Sequence, residues 1–457
     1  MPLRSLLFLG LFGASCLLAL AMPIFGVGGY MAHYIIGPER QWWAGAVSHY
    51  GLRYSYMLAL ATAVGFLFSF SRLRYGAKLL HRGEILIILF LGLVWISTMT
   101  SPTSVNRYTT VDHPSMKLTK VVIFLLMMTH IATTRRKLDA LLWVILISAF
   151  ILGTQAYNTP RSQFVRGRLE GVGGADFGDS NRLVSFLVPL LPLMGVMFMR
   201  SRWPGRIALL FPAAFVANTI ILCRSRGAMV GAAVAGAAAL LFSPRRYRKH
   251  IAGGLLVALL GGWYLSDPQF LKRASTIIVD EGEQRDASAE SRIEIWKATM
   301  QMLKSNPLGV GVGNFYQRIG SYAREHQGRD AHNTFVRCVG ELGIPGLIVF
   351  CLVLGYAVRT CWQLMQIGKR LPEPHGDQVT WTAYGFLICL IANIACGMTT
   401  TLLYQESLWW FIAMPIALRR VTENIREDLR EPQPAVALTP PKPQRTPAPA
   451  GALSMEE

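Results

Sequence analysis

Apolar residues gather along this chain in long runs, at approximately 3–22, 51–70, 84–100, 117–131, 139–156, 183–199, 207–223, 227–242, 251–266, 344–365, 379–398 and 407–418. A helix needs about 20 apolar residues to cross the hydrocarbon core of a bilayer. The runs therefore predict an all-α polytopic membrane protein with about 12 transmembrane helices. The fourth, eighth and last runs are short, so those helices tilt little or recruit flanking residues. The first run carries Arg4 and Ala19-Leu20-Ala21, the marks of a secretory signal. It is nevertheless long enough to span, and it is read as a span.

Polar segments between the runs set the orientation, because cytoplasmic loops retain Lys and Arg. With the N-terminus inside, the inside loops hold Arg72, Arg74, Lys78 and Arg82; Arg135, Arg136 and Lys137; Arg200, Arg202 and Arg206; Arg245, Arg246, Arg248 and Lys249; and Lys369 and Arg370. Short outside loops such as 101–116 and 399–406 are poor in base. The alternation predicts twelve spans with both termini cytoplasmic.

The chain divides accordingly into N-terminal helices (1–156), central helices with arginine-bearing outside loops (157–266), a large outside loop (267–343), C-terminal helices (344–420) and a tail (421–457). From about residue 431 the tail is rich in Pro and Ala, and it reads as a disordered cytoplasmic extension. The large loop opens on the polar stretch Asp280–Asp286. A helix is expected from about Ser291, with Ile293, Ile295, Trp296, Met300 and Leu303 on its apolar positions, ending at Asn306-Pro307.

Composition agrees with the pattern. Of 457 residues 52% are hydrophobic and only 16% charged, against about a quarter charged in soluble domains. The formal net charge of +19 would suit nucleic acid, anionic lipid or an anionic substrate. No nucleic-acid motif accompanies it, so nucleic acid is not expected as a partner, and the charge belongs to topology or to something anionic handled at the bilayer. The seven cysteines form no CxxC pair or zinc spacing and read as packing residues.

Arginines on the outside run against the charge rule and need a reason. Arg224 and Arg226 sit in the turn Cys223-Arg224-Ser225-Arg226-Gly227. They are either snorkelling or ion-paired structural residues or an anion clamp, since the guanidinium fork matches phosphate oxygens. Arg292, at the start of the expected loop helix, is open to the same two readings, with Glu290 and Glu294 close enough to neutralise it. The loop 157–182 adds Arg161, Arg166, Arg168 and Arg182 among several glycines.

Of nine histidines, His81 and His250 lie in basic inside loops and His375 in a polar connector; His33, His49, His113, His130 and His326 lack companion ligands at metal spacing. No metal site or cofactor is expected. His332 differs. It opens an amphipathic segment to Leu342, broken by Gly343-Ile344-Pro345-Gly346 before the tenth span. At a helix N-terminus the dipole disfavours imidazolium, and a neutral imidazole is what a general base requires. A capping or packing histidine is the other reading.

Ala331-His332-Asn333-Thr334-Phe335 followed by Gly340-Glu341-Leu342-Gly343-Ile344-Pro345-Gly346 resembles the signature of the O-antigen ligase/polymerase superfamily. Ser225-Arg226-Gly227 at the opening of a span, Ser291-Arg292 through Trp296 leading to Pro307–Phe315, and Asp179-Ser180-Asn181-Arg182 before Leu187-Val188-Pro189-Leu190 extend the resemblance over about 170–420. It implies a GT-C-like membrane glycosyltransferase of a bacterial inner membrane with one large periplasmic loop. Its donor would be a glycan on undecaprenyl diphosphate, and its acceptor lipid A–core or another glycan or protein, without metal or nucleotide sugar. With the residue reading, it implies His332 as general base, Arg226 and Arg292 on the diphosphate, and Arg168, Arg182 and Arg224 as weaker donor contacts. A repeat-unit polymerase shares these motifs; the single large outside loop favours a ligase. A transporter would suit twelve spans, but neither an inverted repeat nor a mid-span acid supports it.

Overall fold

The computed structural model describes residues 3–271 apart from 42, 49–50, 74–75, 77 and 102–111, together with 275 and 287–430. The expected polar stretch Asp280–Asp286, Arg74 and the tail beyond residue 430 lie outside the described residues. Among those described the protein is a helical bundle. Its helices are α1 (Leu3–Ala21), α2 (Pro23–Ile36), α3 (Tyr54–Ser69), α4 (Arg82–Thr100), α5 (Pro114–Ile131), α6 (Arg135–Asn158), α7 (Ser180–Arg200), α8 (Trp203–Cys223), α9 (Arg226–Phe242), α10 (Arg248–Leu265), α11 (Ala287–Ser305), α12 (Thr334–Gly368), α13 (His375–Gly397) and α14 (Glu406–Asp428).

Nine of these, α1, α3–α8, α12 and α13, are long and apolar enough to cross a membrane. The all-α polytopic architecture stands. Three of the twelve expected runs form α9, α10 and α14, which fall outside that class; α9 is apolar but has 17 residues. α14 is helical to Asp428, past the expected start of the tail at 421.

The centre of the bundle is α7, α13 and α14, most of whose side chains are buried; Trp409, Trp410, Phe411 and Phe386 are almost inaccessible. A helix apolar all round belongs in such a position. By contrast α10 buries none of its residues and lies at the rim.

The basic segments converge at one end. Arg420 donates to the Lys78 and Leu79 carbonyls (2.8 Å each), Asn424 to the Thr133 carbonyl (2.9 Å) and Arg200 to Asp139 (3.0 Å). At the opposite end the Tyr34 hydroxyl donates to Asp176 (2.7 Å), the Gln405 amide to the Arg182 carbonyl (3.3 Å), the Ser225 hydroxyl to Asn181 (2.9 Å) and the Asn333 amide to the Met398 carbonyl (3.1 Å).

One helix lies outside the expected apolar runs. α2 follows α1 after Met22 alone and packs against α1, α3 and α6. Its C-terminal end meets the 157–182 loop, where the Gly174 N–H donates to the Ile35 carbonyl (3.3 Å). The Ser5 hydroxyl in α1 donates to the Trp43 carbonyl, just beyond α2 (3.1 Å). The start of α1 therefore lies at the end of the bundle that carries the 157–182 loop, and the end of α14 lies at the other. α2 is a helix that the twelve-run reading did not contain.

Candidate functional site

The loop between α11 and α12 and the first turn of α12 form the floor of the candidate site. Asn333 caps α12, its side-chain oxygen accepting from the Phe335 and Val336 N–H groups at 2.9 and 3.1 Å. The helix thus begins two residues later than the sequence indicates, and His332 stands outside the first turn. The expected break near residue 343 is a kink rather than an interruption. Gly343 has φ 65° and ψ −165°, and α12 resumes beyond it. The glycine run 307–313 wraps this kink. Val310 and Gly311 N–H groups donate to the Gly340 and Glu341 carbonyls (3.0 Å each), and Ile344 N–H donates to the Pro307 carbonyl (3.1 Å). A Cβ at Gly309 would overlap the Glu341 carbonyl, and one at Gly343 would overlap that of Pro307.

His332 adopts φ 48°, the left-handed region that non-glycine residues seldom occupy. Its neighbours hold it there. Asp330 accepts from the Ala331 N–H (2.9 Å), and the Trp296 indole of α11 donates to the Ala331 carbonyl (2.9 Å). Thr334 donates to the Thr400 carbonyl (2.8 Å) and accepts from the Leu402 N–H (3.0 Å). The imidazole is half-buried. Burial is the first cause that holds its pKa below the ordinary histidine value; Asp330 and Asp179 oppose the shift, and Arg292 and Arg182 reinforce it. The sequence had attributed a neutral ring to a helix dipole. In the structure burial is the first cause that lowers its proton affinity, with Arg292 and Arg182 adding to it.

The six expected residues all lie at this end of the bundle, with different surroundings. Arg292 comes from α11, one turn before Trp296 and so on the same face. Arg182 lies in the first turn of α7, paired with the N-cap Asp179 (3.2 Å). Both act on His332. Arg226 begins α9, half-buried, next to Gly227, which is packed against Thr399. Arg226 and His332 therefore flank the same 398–402 turn. Arg168 is tied to the Cys223 carbonyl (3.0 Å) and to Asn181 (2.7 Å), which also accepts from Ser225. Arg224 is buried at φ 46° and donates to Asp267, Gln269 and the Gly167 carbonyl. That is the structural ion-pair reading of Arg224.

Three further groups of side chains surround the candidate site. Asp330 and Asp179 supply the negative charge around His332. Arg337, Glu341 and Tyr404 form a buried network behind it. A cavity of about 180 Å³ adjoins this wall, lined among others by Lys117, Asp176, Arg182, Tyr316, Arg337 and Gln405. In that lining Lys117 pairs with Asp176, whose carboxyl burial would raise but which Lys117 and Tyr34 hold below the usual carboxylate range.

The expectation that His326 lacks companion ligands is revised. Glu294, Glu325 and His326 bring three donor atoms within 4.8 Å of one another. Their spacing in sequence hid this, because Glu294 comes from α11. The His326 ring bonds Glu294 at 2.6 Å, so the two groups already engage each other.

Residues 211–351 match the model of the O-antigen ligase family. The match contains Arg224, Arg226, Arg292 and His332, while Arg168 and Arg182 precede it. It supports the O-antigen ligase/polymerase superfamily, and with it a ligase- or polymerase-type function in a membrane. No curated protein sequence matches the chain.

Proposed function

We propose that this O-antigen ligase domain moves a glycan from undecaprenyl diphosphate to an acceptor hydroxyl, lipid A–core first among acceptors, at the periplasmic face of a bacterial inner membrane. In this reading the bundle is GT-C-like. The large loop 267–343 is periplasmic between the helices of 1–156 and 157–266 and those of 344–420. The basic end and the end of α14 face the cytoplasm, and the start of α1 faces the periplasm.

His332 takes the proton of the acceptor hydroxyl. The oxygen attacks the anomeric carbon, the carbon–oxygen bond to the diphosphate breaks, and the configuration at that carbon inverts. Arg226 and Arg292 stabilise the charge that grows on the departing undecaprenyl diphosphate. The proton leaves His332 to solvent after product release. Arg182 and Arg168 lie along the donor side as secondary contacts.

The observation that carries this reading is His332 itself. It is half-buried, held at a positive φ and of lowered proton affinity, with Arg292 and Arg182 acting on it. A base must be neutral to accept a proton. The rate should therefore hold at neutral pH and fall as acid protonates the ring, below about pH 6.5.

Purified His332→Ala should insert and fold normally and transfer nothing; a wild-type rate would refute the base. Arg226→Ala and Arg292→Ala should each lower the rate by about 10²–10³-fold, the cost of losing one charge-stabilising donor. Transfer should persist in a metal chelator, since guanidinium groups supply the positive charge, and strict metal dependence would refute the scheme. The product distinguishes the reactions: one transferred glycan for a ligase, a ladder of lipid-linked repeats for a polymerase.

A further inference from the structure

Arg337 lies one turn into α12, is almost inaccessible, and has no part in the scheme above. Its guanidinium carbon lies 4.1 Å from the centre of the Tyr316 ring and 5.0 Å from that of Phe315. It donates to Asp330 at 3.2 Å and pairs with Glu341, one turn on, at 2.8 Å. Glu341 is fully buried and accepts from the Gly313 N–H and the Tyr404 hydroxyl, each at 2.8 Å. A cation held against aromatic faces and two carboxylates is a costly arrangement to disturb, because removing one partner leaves a buried charge uncompensated.

The network ends two residues from the candidate base. Asp330 is held by Arg337 and holds the Ala331 N–H; the Ala331 carbonyl is held by Trp296; Asn333 is held by the Met398 carbonyl and by the turn it caps. His332 is the residue these ties enclose. The charged groups that bear on its ring are Asp330 from its own loop, Arg292 from α11, and Asp179 and Arg182 from the start of α7. Of the two carboxylates, Asp330 acts the more strongly, and it is the one that Arg337 engages.

We propose that Arg337 is a positioning residue for the candidate base: by holding Asp330 it fixes the His332 loop and withholds that carboxylate from the imidazole. The inference rests on the reading of His332 as base. Without the guanidinium, Asp330 is a full anion free to pair with the ring, and the imidazolium form gains. Without the Asp330 charge, the opposite follows.

The test is the pH dependence of transfer by the purified full-length protein in detergent, with lipid-linked donor and acceptor. In Arg337→Gln the acidic limb should move up by about one pH unit, the lower end of what a nearby charge does, and kcat should fall more than KM rises. In Asp330→Asn the limb should move down. Arg337→Lys, which can still pair with Asp330, should return the limb towards the wild-type position. Limbs that stay in place, or that move the same way in both partners, would overturn the role of Arg337. Should Arg337→Gln fail to fold, Asp330→Asn and Arg337→Lys decide the matter alone. A His332→Ala protein that keeps the wild-type rate overturns the base reading itself. A limb that depends on His332 yet is unmoved in Asp330→Asn overturns only the positioning role.

Discussion

The indole of Trp296 offers a direct measure of how much the loop helix contributes to the site. Its N–H reaches the Ala331 carbonyl at 2.9 Å, and Ala331 is fully buried. Trp296→Phe keeps most of the ring in place and removes only this donor. A buried carbonyl left without a partner costs about 1–3 kcal/mol. His332 sits at φ 48° next to that carbonyl, a conformation that itself costs about 1–2 kcal/mol outside glycine, so the loop can relieve both by relaxing. Relaxation moves the imidazole. If the whole cost is felt at the transition state, the rate should fall by about 5- to 150-fold, at about 1.4 kcal/mol per decade. Single-turnover transfer in detergent, with thermal unfolding followed separately, distinguishes lost positioning from lost fold. Arg292 lies on the same helix face, so Arg292→Ala should cost less in the Trp296→Phe background than alone. A Trp296→Phe protein within twofold of the wild-type rate would refute the idea that α11 positions the base.

Two further outcomes probe the frame around the site. Gly343→Ala should destabilise by at least about 1–3 kcal/mol, because φ 65° with ψ −165° is a region essentially reserved for glycine and its Cβ would overlap the Pro307 carbonyl; a lowered melting temperature checks it. For Asp267, burial raises the carboxyl, but the Arg224 and Phe270 hydrogen bonds outweigh it and hold its pKa below the ordinary value. A depressed folded pKa gives stability that is present above the unfolded pKa, about 4, and is lost as pH falls through the folded one. Arg224→Gln should therefore lose stability at pH 7 and show a flatter decline between pH 5 and pH 3 in thermal melts.

The cations of the site were legible in the sequence and the carboxylates were not, for a physical reason. Lysine and arginine obey a topological bias, so Arg226 and Arg292 stand out on the disfavoured side. Aspartate and glutamate contribute little to that bias, so Asp179 and Glu341, although they stand inside the motifs, and Asp330 show no charge role until folding brings them near His332. The long apolar runs were legible as helices, and the loop helix was placed within a few residues of its observed start at Ala287. α2 was not. Its 14 residues span about 21 Å, short of the roughly 30 Å hydrocarbon core, and Met22 alone separates it from α1. The apolar run 3–22 ends before it, and its place is fixed by packing against α1, α3 and α6.

The neighbours Arg224 and Arg226 show where a pattern ceases to discriminate. Two residues apart in one turn, both break the charge rule and both fit either a structural ion pair or an anion clamp. The deciding quantity is backbone direction. Arg224 is the C-cap of α8 at φ 46°, which turns its side chain towards Gly167, Asp267 and Gln269. Arg226 is the first helical residue of α9, after the N-cap Ser225. A guanidinium at a helix start stands in a field that favours an anion, whereas Arg224, at a helix end, is turned to the Asp267 carboxylate. Charge reversal at the two positions should therefore differ in kind. Arg224→Glu faces Asp267 and should unfold the turn, lowering the melting temperature. Arg226→Glu should leave the melting temperature near that of the wild type and abolish transfer. Equal melting losses at both positions would return Arg226 to the structural role.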